Sequence, residues 1–167
     1  LISYRSFPKD NFLKLNPDAA KDFDYEANKP MKPENLSNGS SIKISFKCKK
    51  CSYKWKTTPK HRQKTGCPSC SKRTLSATNN LLVLNPKIAS EFNSKKNMIT
   101  PDQILENDNK KEYWWICKNK HEWKQYVYLR TKKGEKRKGS ICKECKSLKF
   151  NYPEVAKMFD KEKNGYE

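Results

Sequence analysis

Cys48-x2-Cys51 is followed, after 15 intervening residues, by Cys67-x2-Cys70, and paired cysteines at this spacing form the ligand pattern of a tetrahedral four-cysteine zinc site. Three further cysteines, Cys117, Cys142 and Cys145, need a fourth donor. His121 supplies it, because Cys117-x3-His121, then 20 residues, then Cys142-x2-Cys145 reads as a set of three cysteines and one histidine. All seven cysteines are thereby used, and two structural Zn2+ ions are the expected cofactors. A catalytic zinc keeps three protein ligands and an open position for water, whereas both sets here have four donors and no nearby carboxylate in a general-base role. A secreted disulfide framework would show an even cysteine count, a signal peptide and more loop glycine than the 5 present. Reduced thiols fit an intracellular location, with the compartment left open.

The chain has 167 residues with 37 Lys+Arg against 18 Asp+Glu, a formal charge of +19. Seven thiolates subtract seven charges and two zinc ions return four, so the loaded protein carries about +16. That charge excludes an acidic enzyme with a cationic substrate and points to a polyanion. Apolar residues make up only 34%, below the roughly 45–50% of globular domains, so small metal-held units are expected in place of one large core. The apolar runs Leu81–Leu84 and Tyr113–Cys117 fall short of the roughly 18 residues a membrane span needs. No membrane partner is expected.

The elements that must position the ligands repeat along the chain. Asn11 to Pro17 matches Asn80 to Pro86 at an offset of 69, and the match runs on through Ala20/Ala89, Phe23/Phe92, Asp24/Asn93 and Asn28/Asn97 to Cys48/Cys117. A third copy begins at Ser147-Leu148, with Pro153, Ala156, Phe159, Asp160 and Asn164 at an offset of 136, and stops at Glu167 before any ligand. The expected organisation is an arm over 1–10, a module over 11–72, a linker over 73–79, a second module over 80–146 and an incomplete repeat over 147–167. Leu1 in place of Met, and an end inside a repeat, are expected of a fragment, a processed product or a shortened final unit.

Asn16 and Asn85 read as N-caps with Pro17 and Pro86 at the first helical position, which places Ala20 with Phe23, and Ala89 with Phe92, on one packed face. Residues 28–39 read as a turn region before a strand over Ile42–Lys47, whose counterpart is Glu112–Ile116. A hairpin is expected to return from Trp55 or Trp123 to the second ligand pair, and Pro68 reads as a helix start.

A knuckle, a hairpin and a closing helix make a treble clef, and here the chain resembles the tandem treble-clef zinc-finger family, also described as a probable zinc-ribbon domain. The residues that carry the resemblance are Asn16-Pro17, Ala20, Phe23-Asp24, Asn28, Pro33, Gly39-Ser40, Cys48, Cys51, Trp55, Arg62 and Gly66-Cys67-Pro68-x-Cys70. In the second unit they are Asn85-Pro86, Ala89, Phe92, Asn97, Trp114-Trp115-x-Cys117, His121-Glu122-Trp123, Arg130 and Cys142-x2-Cys145. Ser45 and Phe46 depart from the tryptophan pair, Tyr152 stands for the usual Asn before Pro153, and the second hairpin is seven residues longer. The resemblance implies small α+β zinc-stabilised modules that bind nucleic acid, occur in strings and are sometimes joined to a nuclease domain resembling very-short-patch-repair endonucleases.

The expected activity is noncatalytic nucleic-acid binding, DNA first, by phosphate contacts from basic hairpin tips: Lys60, Arg62 and Lys64 in one module, and Arg130, Lys132, Lys133, Lys136, Arg137 and Lys138 in the other. Arg62 and Arg130, each seven residues after a tryptophan, either contact phosphate or a guanine edge or pack against that indole; the former is the favoured reading. The tryptophans read as core and His61 as surface. The alternatives are an RNA-binding subunit of a ribonucleoprotein such as a ribosome, the DNA-targeting part of a larger nuclease, and a zinc-dependent protein-interaction scaffold. An enzyme is not expected. Pro101-Asp102 with Glu144-Cys145-Lys146 mimics a metal-dependent nuclease motif, but Cys145 is already a zinc ligand.

Overall fold

The computed structural model describes residues 9–132 and 142–159, and its contacts divide the chain into two units between Thr78 and Asn79. Each unit opens on two four-residue helices, α1 Phe12–Leu15 and α2 Pro17–Ala20 in the first, α4 Leu81–Leu84 and α5 Pro86–Ala89 in the second. The side-chain caps are Asn11, which accepts from the Lys14 amide, and Asn80, which accepts from the Val83 amide. Asn16 and Asn85 do precede α2 and α5 but make no side-chain cap bond; their amides reach Asn38 and Glu106 instead. Phe23 and Phe92 lie beyond these helices, not on a shared face with the alanines. They form single bridges to Phe46 and Trp115.

Each unit then holds one antiparallel hairpin. β1 (Ile44–Lys47) pairs with β2 (Lys54–Thr57), and β3 (Glu112–Ile116) with β4 (Glu122–Tyr126), in the equivalent registers Phe46↔Trp55 and Trp115↔Trp123. The first strand begins at Ile44, two residues later than its pattern predicts. Alternation sends Ile44 and Phe46, or Tyr113 and Trp115, inward. Trp114 faces outward, where the Lys96 and Lys124 ammonium groups lie 4.6 and 4.9 Å from its ring centre. The inward residues pack with Phe12, Ala20, Phe23 and Leu36 in the first unit, and with Leu81, Ala89, Phe92 and Ile104 in the second. Phe12 gives way to the smaller Leu81, while Ile44 and Phe46 give way to the larger Tyr113 and Trp115, so the second core is filled more from the strand than from the helix.

A repeated asparagine completes the sheet edge. Asn28 Nδ2 donates to the Ser45 carbonyl (2.7 Å) and Oδ1 accepts from the Ser45 amide (2.8 Å); Asn97, the last residue of α6 (Ser94–Asn97), does the same to Trp114 at 2.8 and 2.9 Å. The side-chain amide thus substitutes for a neighbouring strand. Replacing Asn97 by Ala strands the Trp114 N–H, while the Trp114 carbonyl keeps the Asn93 N–H at 3.1 Å, and we expect a loss of about 1–2 kcal/mol by denaturant unfolding of the zinc-loaded protein.

After each hairpin comes a short helix, α3 (Pro59–Lys64) or α7 (Val127–Thr131). The expected basic hairpin tip of the first unit is therefore helical: Thr58 caps it through the His61 amide and Pro59 occupies its first turn. Residues 133–141, with Lys133, Lys136, Arg137 and Lys138 of the expected second tip, lie outside the described residues. Pro68 does not open a helix; residues 68–72 form turns, whereas α8 (Lys143–Lys146) follows Cys142 without a proline. Residues 73–76 fold back on the first unit, the Arg73 amide donating to the Pro68 carbonyl and Ser76 Oγ lying 2.7 Å from Ser69 Oγ.

The third repeat forms its two opening helices, α9 (Leu148–Asn151) and α10 (Pro153–Lys157), with Ser147 as side-chain cap. The core position that is 0% exposed as Phe12 and as Leu81 is 41% exposed as Leu148. Local capping suffices for the helices, but the described residues hold no third hairpin to cover them.

Candidate metal centres

Each hairpin turn is itself half of a ligand set. Between β1 and β2 the chain reverses through Cys48–Tyr53, closed by Cys48 N–H donating to the Tyr53 carbonyl and Ser52 N–H to the Cys48 carbonyl, both at 2.9 Å. Between β3 and β4 the reversal is one residue shorter, with Cys117 N–H donating to the His121 carbonyl (3.0 Å). Ser52 (φ 57°) and Lys120 (φ 63°) take the left-handed conformation such reversals require. The shorter turn explains why the repeat offset falls from 69 at Cys48/Cys117 to 68 at Trp55/Trp123. It also places His121 opposite Tyr53 and not opposite Cys51. The donor that the shorter knuckle brings to the second centre is therefore its last residue, His121.

The structure brings both predicted donor sets together, all four ligand atoms of each set lying within 4.8 Å of one another. In the first, Cys48 Sγ lies 3.7 Å from Cys70 Sγ, and Cys51 Sγ lies 3.6 Å from Cys67 Sγ. A tetrahedral zinc with Zn–S bonds of about 2.3 Å requires S···S edges of about 3.8 Å. In the second, the Cys117–Cys145 edge is 3.6 Å, and His121 Nδ1 lies 3.3 Å from Cys145 Sγ and 3.6 Å from Cys142 Sγ, against about 3.6 Å for an N···S edge. The ligating nitrogen is thus Nδ1, which leaves Nε2 to carry the ring proton. These residues fit two Zn2+ ions, one held by four cysteines and one by three cysteines and a histidine.

The protonation of the thiols points the same way. Burial and the three neighbouring thiols push Cys70 far above the ordinary thiol range, and burial likewise raises Cys67. Burial opposes ionisation of Cys51 too, but the Tyr53 amide and hydrogen bonds from Ser69, Cys70 and Cys67 more than offset it and bring that thiol down to about 7. Four thiolates cannot share this volume without a cation between them.

The surrounding groups orient the donors. Asp22 Oδ1 accepts from the Lys49 amide in the first knuckle (3.0 Å) and Oδ2 from Arg62 Nη2 (2.7 Å). In the second unit Glu91 pairs with Arg130. Arg62 and Arg130, expected on phosphate, are instead internal struts. Arg130 is 7% exposed, with its guanidinium 4.6 Å from the Trp115 ring centre and 5.0 Å from that of Trp123; Arg62 lies 6.0 Å from Trp55. No motif singles out Asp22 and Glu91 in the sequence, although both are acids at the common offset of 69. At the second centre Asn119 Nδ2 donates to Cys145 Sγ (3.3 Å), and the third repeat adds Phe150, edge-on to His121 at 5.0 Å, and Asn151, donating to the Cys145 carbonyl (2.9 Å).

The model of a family described as a probable treble clef zinc finger domain matches residues 19–73 and again 88–148, together well over half of the chain. The chain belongs to this family. Each treble-clef match spans one knuckle, one hairpin and all four donors of one centre. Among the curated proteins searched, none matches the chain.

Proposed function

We propose that the chain is a noncatalytic nucleic-acid-binding array in which zinc holds small frames that present lysines to phosphates. The observation that carries this is the distribution of charge. Between Asn35 and Ser90 there are 12 basic residues and no acid, and all of the twelve except Arg62 are exposed. Lys47, Lys49, Lys50 and Lys54 surround the first knuckle, and Lys60 and Lys64 follow on α3. The −2 of a loaded four-thiolate centre offsets only part of that charge. Lys132 adds an exposed cation after α7. Four protein ligands at each centre leave no place for an activated water, which supports a structural role for the metal. Among the described residues no helix is long and apolar enough to cross a membrane.

Contacts of this kind release condensed counterions, so affinity falls linearly with salt on a log–log plot. Titrating duplex DNA, single-stranded DNA and RNA of equal length against the zinc-loaded protein is expected to show a loss of at least about tenfold between roughly 50 and 200 mM salt. Failure to bind any of the three at low salt, or a flat salt response, would overturn the proposal. The order of the three affinities separates a DNA-targeting module from a ribonucleoprotein subunit.

A further inference from the structure

A cavity of about 250 Å³ opens in the first unit between β2, α3 and the segment around the second ligand pair. Its lining includes Trp55 and three basic residues, Lys56, His61 and Arg73, and contains no carboxylate. Two of the three are held in place. His61 Nδ1 lies 3.2 Å from both Thr57 Oγ1 and Thr65 Oγ1, so the ring is fixed by Nδ1 and its Nε2 remains for a ligand. Arg73 Nε donates to Ser71 Oγ at 2.9 Å and Nη2 to the Gly66 carbonyl at 3.4 Å, which orients the guanidinium plane. A braced guanidinium beside an imidazole and an ammonium, with no carboxylate in the lining, recognises a tetrahedral oxyanion.

We infer that this cavity is a nucleotide-phosphate pocket, with Arg73, His61 and Lys56 on the phosphate oxygens and Trp55 against the apolar part of the adjoining nucleoside. The pocket gives the nucleic-acid reading a defined contact within a diffuse field of lysines, and it rests on that reading only for the source of the nucleotide. Arg73 and His61 are solvent-exposed, so exchanging them leaves the core untouched. Gly66 offers a second route, because a Cβ there meets nothing within 4 Å; Gly66→Asp adds a carboxylate to the lining without a clash.

The test uses the full zinc-loaded chain, with zinc content measured for every variant. Adenosine monophosphate, inorganic phosphate and adenosine are titrated while Trp fluorescence and the His61 ring resonances are followed, and a single strand of about 12 nucleotides, long enough to cover one site, is titrated in parallel. The monophosphate is expected to bind and adenosine not to, and Arg73→Gln and Gly66→Asp are each expected to weaken the monophosphate by about tenfold. The same variants are expected to lower oligonucleotide affinity and to reduce its salt slope by about one for Arg73→Gln. Monophosphate binding that is absent, or unchanged in both variants at full zinc content, overturns the pocket even if the oligonucleotide still binds. A monophosphate that binds as expected while no oligonucleotide binds supports the pocket and overturns the nucleic-acid array.

Discussion

Stripping zinc from this protein is expected to unfold both units. Each core consists of about seven buried residues under one two-stranded sheet, and a lone hairpin is at best marginally stable in water. A structural zinc supplies an apparent ~10–16 kcal/mol, as much as the whole stability of an ordinary domain. The metal therefore decides whether the unit exists, because its donors come from the hairpin turn and from a segment with little else to hold it. A strong chelator should abolish near-UV dichroism and the buried-tryptophan fluorescence of Trp115, and readdition of two equivalents of zinc should restore both. Cys48→Ser should cost one zinc and the first unit's signals, while Cys142→Ser should cost the other. Since the donors must lose protons to bind, affinity falls as the pH is lowered and acid should release the metal. Native-like tertiary signals that survive complete metal removal would refute this account.

The ligands were legible in the sequence because zinc geometry demands short local spacings, and Cys-x2-Cys carries them on its face. The strand Glu112–Ile116 was legible from its density of aromatics, but which of Tyr113, Trp114, Trp115 and Ile116 faces the core was not, because all four are apolar. Long-range pairing was not. Arg62 meets Asp22 across 40 residues and Arg130 meets Glu91 across 39, so a basic residue after a tryptophan looks the same whether its partner is a phosphate or a carboxylate. The helix after the first hairpin is written in Thr58-Pro59, a capping residue followed by proline at the first helical position; the density of lysines around it reads as a basic tip and hides that signal. The substitution of His121 for Cys51 shows a further limit. Its logic depends on a turn shortened by one residue, and only the drop in repeat offset records it.

Breaking the strut between Arg130 and Glu91 is expected to be among the most damaging single changes outside the metal ligands and the aromatic core. The Arg130 side chain is 6% exposed and that of Glu91 38%, so the cation is inside and its partner is at the surface. Removing Glu91 takes away a carboxylate that faces the buried guanidinium, a type of change that costs about 3–5 kcal/mol when both groups are buried. The two indoles beside Arg130 soften that loss through cation–π attraction, so about 2–3 kcal/mol is expected for Glu91→Ala. Arg130→Ala removes the charge together with the flat surface that Trp115 and Trp123 pack against, and about 3–4 kcal/mol is expected. Arg130→Lys keeps the charge and loses the plane, and should fall between this variant and the native protein. A double-mutant cycle of the two alanine variants, measured by denaturant unfolding at saturating zinc, should give a coupling of about 1–2 kcal/mol. An arginine that served only to contact phosphate would give no coupling, and its alanine variant would bind nucleic acid weakly while unfolding at the native midpoint. The strut predicts the reverse, a lower midpoint with oligonucleotide affinity nearly unchanged below it.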